Sequence, residues 1–219
     1  MIFYHFLFDL PFFFPNSADP STTSWALLAR VVGLGFLTTV GFSLYLSYKK
    51  SPDYSRWLNR MERRALKLFG VALGITLVTW IVSPDAFIRF GVLHLISVSI
   101  LLGALAIPSA SLTSVALFLS IALGLYFSSV EVFTPFFIPI GLAPANFYTY
   151  DYFPVFTWLS VVLTGMLLAR FLEHYSWLKN PKWLLRFPPL EKIGQHSLLI
   201  YLVHQPLLFG GLWLFLRLR

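Results

Sequence analysis

IRFGVLHLISVSILLGALAI, residues 88–107, decides the fold class. Apart from Arg89 and His94 near its start, the run is apolar or small. At 1.5 Å per residue, a helix of roughly 20 such residues crosses the hydrocarbon core of a bilayer. An ionisable group placed inside that core costs several kcal/mol, so residues of this kind mark a site or a pathway.

The neighbouring sequence repeats the pattern. Runs at 24–48, 65–83, 111–130, 153–172 and 196–216 are also long and apolar enough to span. A further apolar stretch, Ile2–Phe14, is too short to span alone. The chain of 219 residues is 58% hydrophobic and 11% charged, against about 25% charged in ordinary soluble domains. These values predict a single all-α polytopic membrane domain over residues 1–219, with about seven transmembrane helices, the first truncated, around a polar cavity. No cysteine is present, which excludes disulfides, thiolate metal ligands and a cysteine nucleophile. Scattered histidines without cysteine give no metal site, and His94 with His204 is a poor haem pair at unequal depth.

The net charge of +7 would suggest nucleic acid in a soluble chain. Here the basic residues fall into two loops between apolar runs, so nucleic acid is excluded as a partner. Loop 48–64 carries Lys49, Lys50, Arg56, Arg60, Arg63 and Arg64, and loop 173–195 carries Lys179, Lys182, Arg186 and Lys192. Loops 15–23 and 131–152 have neither Lys nor Arg. The positive-inside rule then makes both basic loops cytoplasmic. Their tryptophans, Trp57, Trp177 and Trp183, predict amphipathic segments lying in the interface. Loop 130–152, rich in Pro, Phe and Tyr, is too apolar for a solvated linker and is expected to fold back as a cap. Gly33, Gly35 and the pair Gly70 and Gly74 are expected to mark close helix packing.

The helical rise places Arg30 roughly 9 Å, His94 roughly 7 Å and His204 roughly 12 Å into the membrane. Asp151 is expected to cap the helix that follows it. His5 and Asp9 are four residues apart and share a helix face. A carboxylate beside an imidazole fixes its tautomer and raises its basicity, as a general base needs; the alternative is an ordinary interhelical hydrogen bond. Ser197, Tyr201 and His204 form a second polar stripe, and Pro206 frees the carbonyl of Leu202 at the same level. Arg30 and Arg89 are either counter-ions for Asp9 and Asp151 or holders of an anionic substrate group.

Four segments together resemble a known family. They are Tyr4-His5-Phe-Leu-Phe-Asp9-Leu, Arg89-Phe-Gly-Val-Leu-His94-Leu-Ile, Tyr148-Thr-Tyr-Asp151-Tyr-Phe-Pro154 and His196-Ser-Leu-Leu-Ile-Tyr-Leu-Val-His204-Gln-Pro206. In order and spacing the chain resembles the bacterial branch of the heparan-alpha-glucosaminide N-acetyltransferase catalytic-domain family. Members of that family open with an Arg…Asp…Arg-Gly stretch and a Met shortly before the histidine. This sequence opens four residues before His5, so its first helix is expected to lack its beginning. The luminal-loop histidine proposed as catalytic in the lysosomal enzyme has no counterpart in Asn16–Ser24, and Thr157 replaces an expected proline before Trp158.

The resemblance implies a homodimeric acyltransferase that moves an acetyl group from cytosolic acetyl-CoA to a sugar or envelope glycan. The acceptor is an amine or hydroxyl reached across the bacterial cytoplasmic membrane. On this reading His5, with Asp9, deprotonates the acceptor or carries the acetyl group. Arg30, Arg89, His94, Asp151, Tyr201, His204 and Gln205 bind or polarise the substrates, and Lys49, Lys50, Arg63, Arg64 and Lys67 meet the phosphates of CoA. The competing expectation is a small proton-coupled transporter that uses Asp9, His94 and His204 as protonation sites, or else a non-catalytic partner subunit.

Overall fold

The computed structural model describes residues 2–14, 17, 23–175, 177 and 188–218. Its elements run α1 (Ile2–Phe13), α2 (Thr23–Lys49), α3 (Tyr54–Val82), α4 (Val92–Ala106), α5 (Ala110–Ser128), a 3-10 helix (Pro135–Ile140), α6 (Val155–His174), α7 (Pro188–Gln195) and α8 (Ser197–Leu218). No strand occurs among the described residues, and the protein is an all-α polytopic membrane protein. Among the described residues five helices are long and apolar enough to cross a bilayer: α2 from Trp25, α3, α5, α6 and α8. The apolar helices α1 and α4 are shorter.

Each apolar run of the sequence became a helix, with two differences of extent: α4 starts only at Val92, leaving Arg89 in the segment before it, and α3 starts early. The basic residues of loop 48–64 are mostly helical, because α3 begins at Tyr54 rather than near residue 65. Asp53 starts it: its Oδ1 accepts the Ser55 N–H at 2.9 Å, satisfying one of the orphan donors of the first turn. Trp57, fully buried, then donates from Nε1 to Ser47 Oγ at 3.0 Å and packs against the rings of Tyr48 and Tyr54. The tryptophan expected in the interface thus ties α3 to the end of α2.

The chain divides into two compact units. One comprises residues 1–35 and 180–219, the other residues 36–179. In the first, α1 packs on α8: Phe12 and Phe13 meet Phe209, and the His5 ring meets that of His204.

The second unit is built around α4. Eleven of its residues are buried, including Leu93, Leu95, Ile96, Ile100 and Ala104. Its neighbours cover most of its circumference and leave Leu102 and Leu105 exposed. Ser97 Oγ donates to the Ala65 carbonyl of α3 at 2.7 Å, an interhelical bond worth about 1 kcal/mol in a membrane. Glycines set the closest approach, but not the pair that the motif suggested. A Cβ on Gly70 or Gly74 would meet nothing within 4 Å among the described residues. A Cβ on Gly41 would lie 1.8 Å from the Val162 carbonyl oxygen, and one on Gly165 would lie 2.1 Å from that of Thr38. Backbone meets backbone where α2 crosses α6, and only glycine fits there.

Loop 131–152 folds back on the segment before α4, as its composition predicts. Thr149 Oγ1 donates to the Phe87 carbonyl at 2.7 Å, Tyr150 N–H to Ala86 at 3.1 Å, and Phe153 N–H to Phe90 at 3.1 Å. Tyr152 donates its hydroxyl to Ile138 of the 3-10 helix at 2.9 Å. Gly141 ends that helix at φ 112°, a left-handed conformation natural to glycine.

Candidate functional site

Four polar side chains of α1 and α8 form one group inside the first unit: His5, Asp9, His204 and Gln205. Asp9 is 2% exposed, and its Oδ1 accepts the Gln205 Nε2–H at 2.7 Å. The rings of His5 and His204 lie 4.9 Å apart, centroid to centroid. His204 Nδ1 is 2.6 Å from the Tyr201 carbonyl. A carbonyl only accepts, so Nδ1 carries the proton and Nε2 presents a lone pair. Among the described residues that Nε2 is buried without a partner, as are Asp9 Oδ2 and Gln205 Oε1. An unsatisfied buried acceptor costs about 1–3 kcal/mol. Three on one small group of touching residues leave it able to accept hydrogen bonds from an amine or a hydroxyl.

This arrangement corrects the expected pairing. No hydrogen bond joins His5 to Asp9; the carboxylate is taken by Gln205 and the His5 ring packs on His204. The histidine with a fixed tautomer is His204, set by the carbonyl one turn back in its own helix. Arg30 is exposed and forms no ion pair with Asp9; the ion pairs among the described residues are Lys49–Glu173 and Arg56–Asp53.

In the second unit His94 and Asp151 meet at the start of α4. Val92 N–H donates to Asp151 Oδ2 at 2.9 Å, and Gly91 N–H donates to His94 Nδ1 at 3.3 Å. Asp151 therefore caps α4, not the helix that follows it. Because Nδ1 accepts, Nε2 carries the proton and faces Thr76 Oγ1 at 3.4 Å, while Thr76 donates to the Ile88 carbonyl at 2.7 Å. Both ring nitrogens of His94 are engaged. A Cβ at Gly91 would lie 2.2 Å from Asp151 Oδ2, so glycine is what lets the carboxylate in. Burial raises the Asp151 carboxyl to about 6, partly opposed by the Val92 N–H. Burial also pushes the Tyr152 phenol up to about 12. Arg89 lies over the rings of Phe87, at 4.5 Å, and Phe147, at 5.2 Å, and reaches the Tyr148 carbonyl instead of pairing with Asp151.

At the other end of α4, Arg170 donates to the carbonyl of Ile107 and lies over the Tyr45 ring at 5.2 Å. Tyr45 donates to Glu173 Oε2 at 2.5 Å, and Lys49 Nζ pairs with Glu173 Oε1 at 3.1 Å. Sequence reasoning passed over this group, although Arg170 interrupts the run 153–172 as plainly as Arg89 interrupts its own. Lys49 is thereby committed to Glu173, while Arg63, Arg64 and Lys67 stand exposed along α3. Lys179, Lys182, Trp183 and Arg186 lie outside the described residues.

The family model described as heparan-alpha-glucosaminide N-acetyltransferase, catalytic, matches residues 1–206. Comparison with curated proteins and with solved structures gives no match.

Proposed function

Because the chain belongs to the heparan-alpha-glucosaminide N-acetyltransferase catalytic family, we propose that it is a membrane-embedded acetyltransferase using acetyl-CoA. The acceptor is an amine or hydroxyl of a sugar or envelope glycan, reached across the bacterial cytoplasmic membrane with the basic loops on the cytoplasmic side. The observation that carries the reading is the buried, unpartnered His204 Nε2 beside Asp9 and Gln205.

The acceptor nitrogen or oxygen attacks the thioester carbonyl, forming the new bond to carbon as the C–S bond breaks. Its proton passes to His204 Nε2 and on to the departing thiolate, which leaves as CoA–SH. The Tyr201 carbonyl keeps Nδ1 protonated, so the transient imidazolium is held in place. Asp9 supplies the negative charge nearby, Gln205 orients it, and His5 packs against the base. His94 and Asp151 shape the start of α4, and Arg89 and Arg30 are left to meet anionic parts of the substrates. The active form is a homodimer.

The test is release of CoA from labelled acetyl-CoA by purified protein supplied with glucosamine. Transfer that is lost in His204→Ala supports the reading. Solute uptake into liposomes with no acyl donor would favour the transporter, whose protonation sites would be Asp9, His94 and His204.

A further inference from the structure

A groove of about 470 Å³ lies where α2 ends and α3 begins, lined by Ser43, Leu46, Ser47, Lys50, Ser51 and Arg60. That volume is within the range of small-molecule sites. Ser43, Leu46, Ser47 and Lys50 are spaced i, i+3, i+4 and i+7 and so share one face of α2 and its extension.

The local ion pairs sort the cations. Lys49 is neutralised by Glu173 and Arg56 by Asp53. Lys50 and Arg60 have no acidic partner among the described residues, and both line the groove. Arg60 donates from Nη2 to Ser51 Oγ at 2.9 Å, which steadies the guanidinium and leaves its other N–H groups available. Ser47 Oγ accepts from Trp57 Nε1, so its own proton remains to be given. Ser51 spends its proton on the Asp53 carbonyl. The groove therefore offers an ammonium, a guanidinium and serine hydroxyls, all donors. The carbonyls at the end of α2 oppose an anion. Two of them are already taken, Leu46 by the Lys50 N–H and Tyr48 by the Ser51 N–H.

We propose that this groove is a phosphate-binding site. A planar carboxylate would satisfy one cation, whereas a phosphate or diphosphate has the charge and the tetrahedral oxygens to engage both. Tyr48, Tyr54 and Trp57 beside it are the residues expected at a membrane–water boundary. Two sources carry that chemistry there: the diphosphate of CoA and the headgroup of an anionic phospholipid. With CoA as the source, the site rests on the acyltransferase reading.

The experiment titrates full-length protein in detergent with inorganic pyrophosphate, with CoA, and with bicelles of phosphatidylglycerol or phosphatidylcholine. Lys50→Ala and Arg60→Ala each weaken binding of the responsive probe about three- to tenfold, and Lys192→Ala, which removes the same charge elsewhere, does not. Lys50→Arg restores most of the loss, and size-exclusion profiles check folding. Tighter binding of CoA assigns the nucleotide; a preference for phosphatidylglycerol bicelles with no CoA binding assigns the headgroup. Equal effects of all three alanine variants, or no binding of any phosphate probe, overturn the proposal. Pyrophosphate binding is read without a transfer assay, so the groove and the acyltransferase reading can fail separately.

Discussion

Gln205 holds Asp9: its Nε2–H reaches Oδ1 at 2.7 Å and joins residues 196 apart in the chain. The amide thereby orients the carboxylate and fixes its own direction, with Oε1 left over. Gln205→Ala removes the sole donor to Asp9 seen among the described residues, which strands a buried carboxylate. The expected cost is about 1–3 kcal/mol of stability, read as a lower thermal midpoint in detergent, together with loss of transfer. Gln205→Glu, which sets a second carboxylate against the first, should be worse in both measurements.

His204 and His94 should separate when each is replaced by alanine. His204 has one nitrogen without a partner, so His204→Ala removes chemistry and should abolish transfer with little change in thermal midpoint. His94 has both nitrogens engaged, and His94→Ala strands the Gly91 N–H and takes a donor from Thr76. It should lower stability by about 2 kcal/mol. Equal loss of stability in the two variants would contradict the assignment of His204 as base.

Asp151 makes the start of α4 sensitive to pH. Its folded carboxyl titrates near 6, above an ordinary value of 3.8, so folding favours the protonated form. The associated stability is full below about pH 4 and is lost as pH rises through about 6. Asp151→Asn keeps an oxygen for the Val92 N–H and cannot ionise. From pH 4 to pH 7 the wild-type thermal midpoint should therefore fall relative to that of the variant. Parallel curves would show that Asp151 ionises at no cost.

Two glycines should answer differently to a single methyl group. Gly165→Ala drives a Cβ into the Thr38 carbonyl, where backbone cannot yield, and should cost about 1–3 kcal/mol or prevent folding. Gly70→Ala meets open space in a helix and should be neutral or stabilising by up to about 1 kcal/mol. Thermal midpoints and expression levels of the two variants decide the matter.

What the sequence disclosed was set by length scale. Apolar runs reported their helices to within a few residues because insertion is decided locally. The start of α3 lies outside its apolar run because its first turns are basic and exposed, and the signal there is the cap Asp53 and not hydropathy. The partners of Asp151 and Asp9 were not legible: each bond crosses many residues, and periodicity carries no information about which helix end a distant carboxylate will reach. The i, i+4 spacing of His5 and Asp9 gave a shared face but not a bond. Spacing likewise made Gly70 and Gly74 look like a packing pair, while Gly41 and Gly165, neither four residues from another glycine, carry no such signature.

The 15 residues of α4 span about 22 Å, against roughly 30 Å for a hydrocarbon core. A carboxylate meets its first turn and a guanidinium its last carbonyl, so charged groups approach each other more closely here than the two membrane faces do. A helix that short leaves about 8 Å of such a core unspanned, a mismatch that proteins meet by thinning the bilayer locally or by polar groups that reach inward. Asp151 and Arg170 stand at its two ends, so polar groups from elsewhere in the chain close off a helix too short to reach both membrane faces by itself.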